Sequence, residues 1–199
     1  MANPTLFFVR HGETQWNSLG RLQGQRDSDL TALGRQQALE SGEILHELAG
    51  RDSRDLAQLY YVASPLGRAR ATMEHMRAGL GLDPNDYGID ARLGELSFGR
   101  WEGVSYAELQ AREPDLLAAR ERDKWNFAPP GGESYAALLT RVTAWHATVP
   151  RDSVIVAHGG TARALVALRG IAEPEQAATY SVDQGVVYVF AGCGLARYA

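Results

Sequence analysis

Two stretches of this sequence place a histidine close behind an apolar run and a glycine directly behind the histidine. "TLFFV" leads into Arg10-His11-Gly12, and "SVIVA" leads into His158-Gly159-Gly160. A third apolar stretch, "LYYVA", ends on Ser64-Pro65-Leu66-Gly67-Arg68. A hydrophobic core has no use for two arginines and two histidines at the ends of buried segments, but an anion site does. Arginine keeps its charge and offers a planar fork that matches phosphate oxygens. A neutral imidazole nitrogen is a nucleophile toward phosphorus and can hold a phosphoryl group before yielding it to water or an alcohol. The transfer needs fixed donors around the developing charge, which Arg10, Arg68 and the second histidine would supply. It also needs an acid to protonate the leaving alkoxide. Glu95, in the glycine-marked "LGELSFG", is the candidate. Gly159 and Gly160 permit close backbone approach, and a helix opening near Thr161 would aim N–H groups at the anion. Asn17 adds a neutral donor.

These residues need strands that end side by side. Strands are expected at 5–9, 57–63 and 153–157, with a C-terminal pair at 186–191 and 195–199. All are short and rich in β-branched or aromatic residues. Helices are expected from a Thr31 N-cap to Gly50, with Ala38, Leu45 and Leu48 inward, and at 67–79, 104–122, 134–148 and 161–169. The fourth of these has Ser134 or Glu133 near its cap. Segment 80–103 reads as loop with a short strand. Strands alternating with helices predict an α/β fold with a mainly parallel sheet. In such folds ligands bind beyond the carboxyl ends of the strands, so the three polar ends predict one cleft.

The bulk properties exclude other classes. At 199 residues the chain suits a single domain, and no linker or repeat divides it. A net charge of −4 argues against nucleic acid or an anionic membrane surface as the partner. Cys193 is the only cysteine, so no internal disulfide is expected. No apolar run nears the ~20 residues of a membrane helix. The start "MANPTLFF" has neither a basic nor a long apolar region, which reads as no signal peptide and a cytoplasmic location. There is no glycine loop ending in Lys-Ser/Thr and no "GxSxG" elbow. No His/Asp/Glu cluster has metal-ligand spacing, and no cofactor is expected.

The blocks "RHGETQWN", "LTALGRQQA", "SPLGRA", "GELSFGRWEG", "PGGES" and "AHGG" occur in this order over most of the chain. In this the sequence resembles the histidine phosphatase superfamily, also called phosphoglycerate mutase-like. The resemblance implies a three-layer α/β/α fold and a metal-free phosphohistidine mechanism. It makes His11 the nucleophile, Arg10 and Arg68 the phosphoryl-binding arginines, His158 the second histidine and Glu95 the proton donor. Asn17, Gln23 and Gly24 match positions that touch phosphate or substrate, and Gly159 matches a backbone donor.

Superfamily members include phosphatases and mutases. The mutases it resembles are longer, with an arginine-bearing insert after the acid loop. The equivalent segment here, 106–134, is short, and its Arg112, Arg120 and Arg122 interleave with Glu108, Glu113, Glu121 and Asp123. That mixture reads as a solvated face with weak ion pairs. The expectation is therefore a phosphatase of small phosphomonoesters, with a cofactor-dependent mutase, a protein phosphatase or a phosphate-recognition regulator as alternatives. Trp101, Tyr106, Trp125 and Phe127 either pack the cap or wall the leaving-group site. His46, His75 and His146 read as surface or boundary residues, Arg70 and Arg100 as solvated, Arg163 as structural, and Glu13 as bracing an arginine or histidine. Nothing in the sequence sets an oligomeric state.

Overall fold

The computed structural model describes residues 4–199. Met1–Asn3, the start of the stretch read for a leader, lie outside them. A six-stranded sheet has the order β3-β2-β4-β1-β5-β6. Its strands are β1 (Leu6–Arg10), β2 (Tyr60–Ala63), β3 (Gly88–Ile89), β4 (Ser153–Ala157), β5 (Val187–Ala191) and β6 (Gly194–Tyr198). The first four run parallel, and β5 and β6 add an antiparallel hairpin. The helices are α1 (Gln15–Ser18), α2 (Ala32–Arg51), α3 (Gly67–Gly79), α4 (Tyr106–Arg112), α5 (Pro114–Arg122), α6 (Tyr135–His146), α7 (Gly159–Leu168) and α8 (Pro174–Ala177). None is long and apolar enough to cross a membrane.

Side chains alternate across a strand, and β1 shows the consequence. Phe7 and Val9 join one core cluster with Leu45 and Leu48 of α2 and Met73 and Met76 of α3. Leu6 and Phe8 join the other with Leu138 and Val142 of α6 and Leu165 of α7. The sheet is thus covered on both faces, giving the three-layer α/β/α sandwich. Thr31 caps α2 by accepting from Gly34 N at 3.0 Å, and Ala38, Leu45 and Leu48 face inward as expected. A third, smaller cluster around Trp101, Leu109 and Leu117 holds α4 and α5 together as a cap.

Local differences from expectation have local causes. The helix expected over 104–122 is two helices, because Pro114 lacks an N–H and starts the second one while Glu113 leaves helical geometry at φ −136°. β2 begins at Tyr60, since Asp55 caps a 3₁₀ turn at Leu56–Gln58. α6 is shorter at both ends than 134–148, with Ser134 as its cap. α7 begins two residues early, at Gly159. α1 and α8 are four residues each, too short for a periodic signal.

One crossing fixes where α2 meets the loop after β1. A Cβ on Gly12 would lie 2.1 Å from the carbonyl oxygen of Gly34, and a Cβ on Gly34 would lie 2.0 Å from the carbonyl oxygen of Glu13. Both clashes are with backbone, which cannot swing away. In an open helix, Gly→Ala gains roughly 0.5–1 kcal/mol. Here Gly34→Ala is expected to destabilise by about 2 kcal/mol or more, lowering Tm by ~4 °C or more. Thermal melting of Gly34→Ala checks this, and an unchanged or raised Tm would contradict the crossing.

Candidate active site

The register of the parallel strands aligns their polar ends. Arg10 pairs with Ala157, and Ala63 pairs with Val156. Past the strand ends, His11 N donates to Ala157 O at 2.9 Å and Ser64 N donates to Val156 O at 3.0 Å. The two histidine rings therefore come to 5.2 Å between centroids, as the sequence reading required. Both are buried.

His11 Nδ1 lies 2.9 Å from the Gly12 carbonyl oxygen. A carbonyl only accepts, so the ring hydrogen sits on Nδ1 and Nε2 keeps its lone pair. Arg68 Nε donates to that Nε2 at 3.3 Å. Burial, then the charges of Arg68 and Arg10, hold the His11 pKa well below the ordinary histidine value, outweighing the Gly12 carbonyl, which acts the other way. His158 Nε2 sits 2.7 Å from Ser64 Oγ, and its buried Nδ1 has no partner among the described residues. Burial, then Arg68, His11 and Arg10, depress its pKa in the same way. Both rings are neutral, as a nucleophilic imidazole must be.

Arg68 is held on three sides. Its Nη1 donates to Asp27 Oδ1 and to Arg26 O, both at 2.7 Å, and its Nη2 donates to Gly24 O at 2.8 Å. Asp27 also accepts from the backbone N–H groups of Gly67 and Arg68. Arg10 donates Nη1 to Val182 O at 2.8 Å, and its buried Nε has no partner among the described residues. Burial lowers its pKa, with Glu95 acting in the opposite sense, but a guanidinium stays charged.

A cavity of about 200 Å³ opens over this floor, and Arg10, His11, Asn17, Gln23, Gly24, Arg68, Glu95 and Gly159 all line it. The expected site residues thus gather in one place, with His158 beneath, against His11. Glu95 is seated by the start of α7, accepting from Gly160 N at 3.1 Å and from Leu96 N at 2.8 Å. A Cβ on Gly160 would lie 2.2 Å from Glu95 Oε1, so glycine there makes room for the carboxylate. Gln23 donates to Thr14 Oγ1 at 2.7 Å, and Asn17 Oδ1 accepts from Gln184 Nε2 at 3.1 Å. Gln184 also donates to His11 O at 3.0 Å, a brace that its position far along the chain hid from sequence reading.

Several expectations need correction. The Gly160 N–H is taken by Glu95, and Thr161 turns its hydroxyl to Leu93 O at 3.2 Å, so the α7 start seats the acid as well as facing the cavity. Glu13 braces neither arginine nor histidine; its carboxylate accepts from Thr31 Oγ1 at 2.8 Å and steadies the cap of α2. Arg112 and Arg122 are exposed as expected, but Arg120 is buried and lines the cavity, donating to Tyr106 Oη and Glu121 Oε1, each at 3.0 Å. Arg163, read as structural, lines it too. So does Lys124, which carried no motif signal. Trp101 stacks on Phe127 within the cap, whereas Trp125 stacks on Tyr135 within one of the main cores, and Tyr106 faces the cavity. Among the described residues, no group of three or more His, Cys, Asp or Glu is placed to hold a metal ion.

The model of the histidine phosphatase superfamily (branch 1) matches residues 6–192. The chain belongs to the histidine phosphatase superfamily. Glucosyl-3-phosphoglycerate phosphatase of Mycolicibacterium vanbaalenii is 38% identical over 175 residues, covering 81% of this chain and 72% of that protein. The protein of Salmonella paratyphi C named probable phosphoglycerate mutase GpmB is 36% identical over 159 residues, covering 77% and 69%. Mycobacterial glucosyl-3-phosphoglycerate phosphatase complexed with VO3 superposes with a TM-score of 0.76 at 29% identity, covering 94% of this chain and 90% of that one. Among superfamily activities, these relatives favour a small phosphatase over a mutase.

The depressed histidines set a pH dependence. A free histidine titrates near 6.5. Below that pH the unfolded chain takes up protons on these two rings that the folded chain refuses. The stability from their neutral burial is therefore complete above ~6.5 and declines on acidification. Tm is expected to fall between pH 7.5 and 5.5, with ¹⁵N NMR showing the His11 ring neutral and protonated on Nδ1 at pH 6.5. An imidazolium at His11 at that pH would refute the electrostatics.

Proposed function

We propose that this chain is a cytoplasmic phosphatase that hydrolyses small phosphomonoesters through a phosphohistidine on His11. The observation that carries the reading is the His11 ring itself: neutral, locked by Gly12 so that its lone pair stands on Nε2, where only the Arg68 Nε–H rests on it, and flanked by the guanidinium groups of Arg68 and Arg10. The net charge of −4, with cations gathered at the cavity, fits a small anionic substrate better than nucleic acid. The phosphatase among its relatives supports hydrolysis.

In the first step the Nε2 lone pair attacks phosphorus and the ester P–O bond breaks. Arg68 and Arg10 meet the phosphoryl oxygens, and with Ser64 Oγ–H donating to Nε2 of the neutral His158 its Nδ1–H adds a third donor, so developing charge lands on fixed donors. A bound phosphoryl group would take over the Arg68 Nε–H that now rests on His11. Glu95 gives its proton to the leaving alkoxide. In the second step water attacks phosphorus, the P–N bond breaks, and the Glu95 carboxylate takes the water proton. Phosphate leaves, and His11 returns with Nδ1 still hydrogen-bonded to Gly12. Ser64 and the Gly12 carbonyl keep both rings from rotating, so the site is organised before substrate arrives.

His11→Ala is expected to abolish phosphate release. Glu95→Gln should slow alkyl phosphates by roughly 10²–10⁴-fold and p-nitrophenyl phosphate far less, because nitrophenolate leaves without a proton. EDTA should leave both rates unchanged. Phosphate release across alkyl and aryl phosphates, alongside conversion of 3- to 2-phosphoglycerate primed with the 2,3-bisphosphate, checks all of this. Equal slowing of both ester types would remove Glu95 from its role. Isomerisation outpacing release would replace hydrolysis with mutase chemistry.

A further inference from the structure

The block "PGGES" at 130–134 and the helix that follows it take no part in the chemistry above, yet both close on the segment that carries the proton donor. Residues 94–98 are neither helix nor strand, so no ladder satisfies their backbone carbonyls. Arg141 of α6 gathers three carbonyls from this stretch and the turn before it. Its Nη1 donates to Arg92 O at 2.7 Å and to Gly94 O at 2.8 Å, and its Nη2 donates to Glu95 O at 2.9 Å. The other edge of the fork meets Glu133, Nε to Oε1 and Nη2 to Oε2, both at 2.9 Å. These bonds use every guanidinium N–H, and Glu133 matches the charge. Glu133 is itself tied to the same segment, since its backbone N–H donates to Ser97 O at 2.9 Å. A Cβ on Gly132 would lie 2.6 Å from that oxygen, so glycine lets the two backbones meet.

Glu95 is therefore fixed at both ends. Its backbone is tied to α6 through Arg141, and its carboxylate to the start of α7 through Gly160 N at 3.1 Å. Leu138 and Val142 of α6 share one core cluster with Leu165 of α7, which holds the two anchors together. The Gln25 side chain adds a second donor to Glu95 O. A proton donor works only within hydrogen-bond reach of the leaving oxygen, and a misplacement of about 1 Å costs up to about 10²-fold in rate.

We propose that Arg141, charge-matched by Glu133, is a positioning residue for the proton donor: it sets where the Glu95 carboxyl stands over the cavity without itself touching substrate. What the carboxyl does rests on the phosphatase reading above; how it is held rests on these contacts.

A series of esters from p-nitrophenyl phosphate to alkyl phosphates separates positioning from scaffolding, because kcat/KM reports the step in which the ester bond breaks. Arg141→Lys keeps the charge, but one ammonium cannot span three carbonyls and a carboxylate. It should lose up to about 10²-fold on alkyl phosphates and far less on p-nitrophenyl phosphate. In a Glu95→Gln background the same substitution should cost little more, since the two residues act as one unit. Glu133→Gln, which leaves Arg141 in place and weakens one edge of its fork, should show the same pattern and serves if Arg141→Lys does not fold. Uniform loss across the series, or an undiminished loss in the Glu95→Gln background, would make Arg141 a scaffold residue and overturn the inference. Amide hydrogen exchange reads the hold without turnover. The Gly160 N–H, bonded to the Glu95 carboxylate, should exchange about ten-fold faster in Arg141→Lys, with the amides of β4 unchanged. If no ester is hydrolysed but Gly160 responds in this way, the positioning stands and the phosphatase reading fails. If esters are hydrolysed and neither the leaving-group pattern nor the Gly160 exchange changes, the positioning is wrong.

Discussion

The structure is organised around positive charge held out of water beside two neutral imidazoles. Arg10 ends β1 and Arg68 lies in the first turn of α3, just beyond β2, on the two sides of β4, where a desolvated guanidinium is tolerable only if its N–H groups find acceptors. The fold supplies these mostly as backbone carbonyls: Val182 for Arg10, and Gly24 and Arg26 for Arg68. Asp27 is the one carboxylate on Arg68, at the outer side, away from His11. Acceptors of this kind hold the guanidinium groups without cancelling the field at the histidines, and they leave the buried Arg10 Nε–H unpaired among the described residues. That field, together with burial, keeps both rings neutral. The glycine crossing at Gly12 and Gly34 and the reach of Gln184 to the His11 carbonyl fix the ring that uses it.

Much of this floor was legible in the sequence because it follows local rules. A strand of alternating apolar residues ends where polar residues begin, and three such ends with arginine or histidine beyond them predict a single cleft if the strands are parallel. The register delivered that juxtaposition. The glycines after each histidine were visible too, but not their reasons. Gly12 is required by a backbone contact 22 positions away, at Gly34, and Gly160 leaves room for a carboxylate 65 positions away, at Glu95. Neither partner can be inferred from spacing.

The upper wall of the cavity was hidden for a different reason. On one helix, Arg120 and Arg122 look alike, interleaved with acids. Burial separates them, and burial depends on how α5 sits over the loop at Phe98 and against Tyr106, a tertiary fact. Arg120 lies within 6 Å of both rings, and this contact keeps its aliphatic stem and charge turned inward while Arg122 faces water. Lys124 carried no motif at all. Pro114, by contrast, could have been used to divide the cap helix from sequence alone, since a proline inside a helical run removes a donor.

Floor and cap thus answer to different constraints. The floor is tied to the sheet register, so moving His11 or His158 means moving β1 or β4, and each is paired on both sides. The cap rests on a small cluster of its own around Trp101, Leu109 and Leu117, which shares the partly buried Phe98 with one of the main cores. Cap residues can therefore vary in charge and shape at little cost to the sheet. A chemistry fixed below and a recognition surface free to vary above is the arrangement by which one fold serves many substrates. Arg163 belongs to the floor's side of this division: it lies on α7, one turn beyond Gly159, and its guanidinium meets Tyr135 at the start of α6. Its position is set by the same helix that seats Glu95, so its charge is held in register with the proton donor.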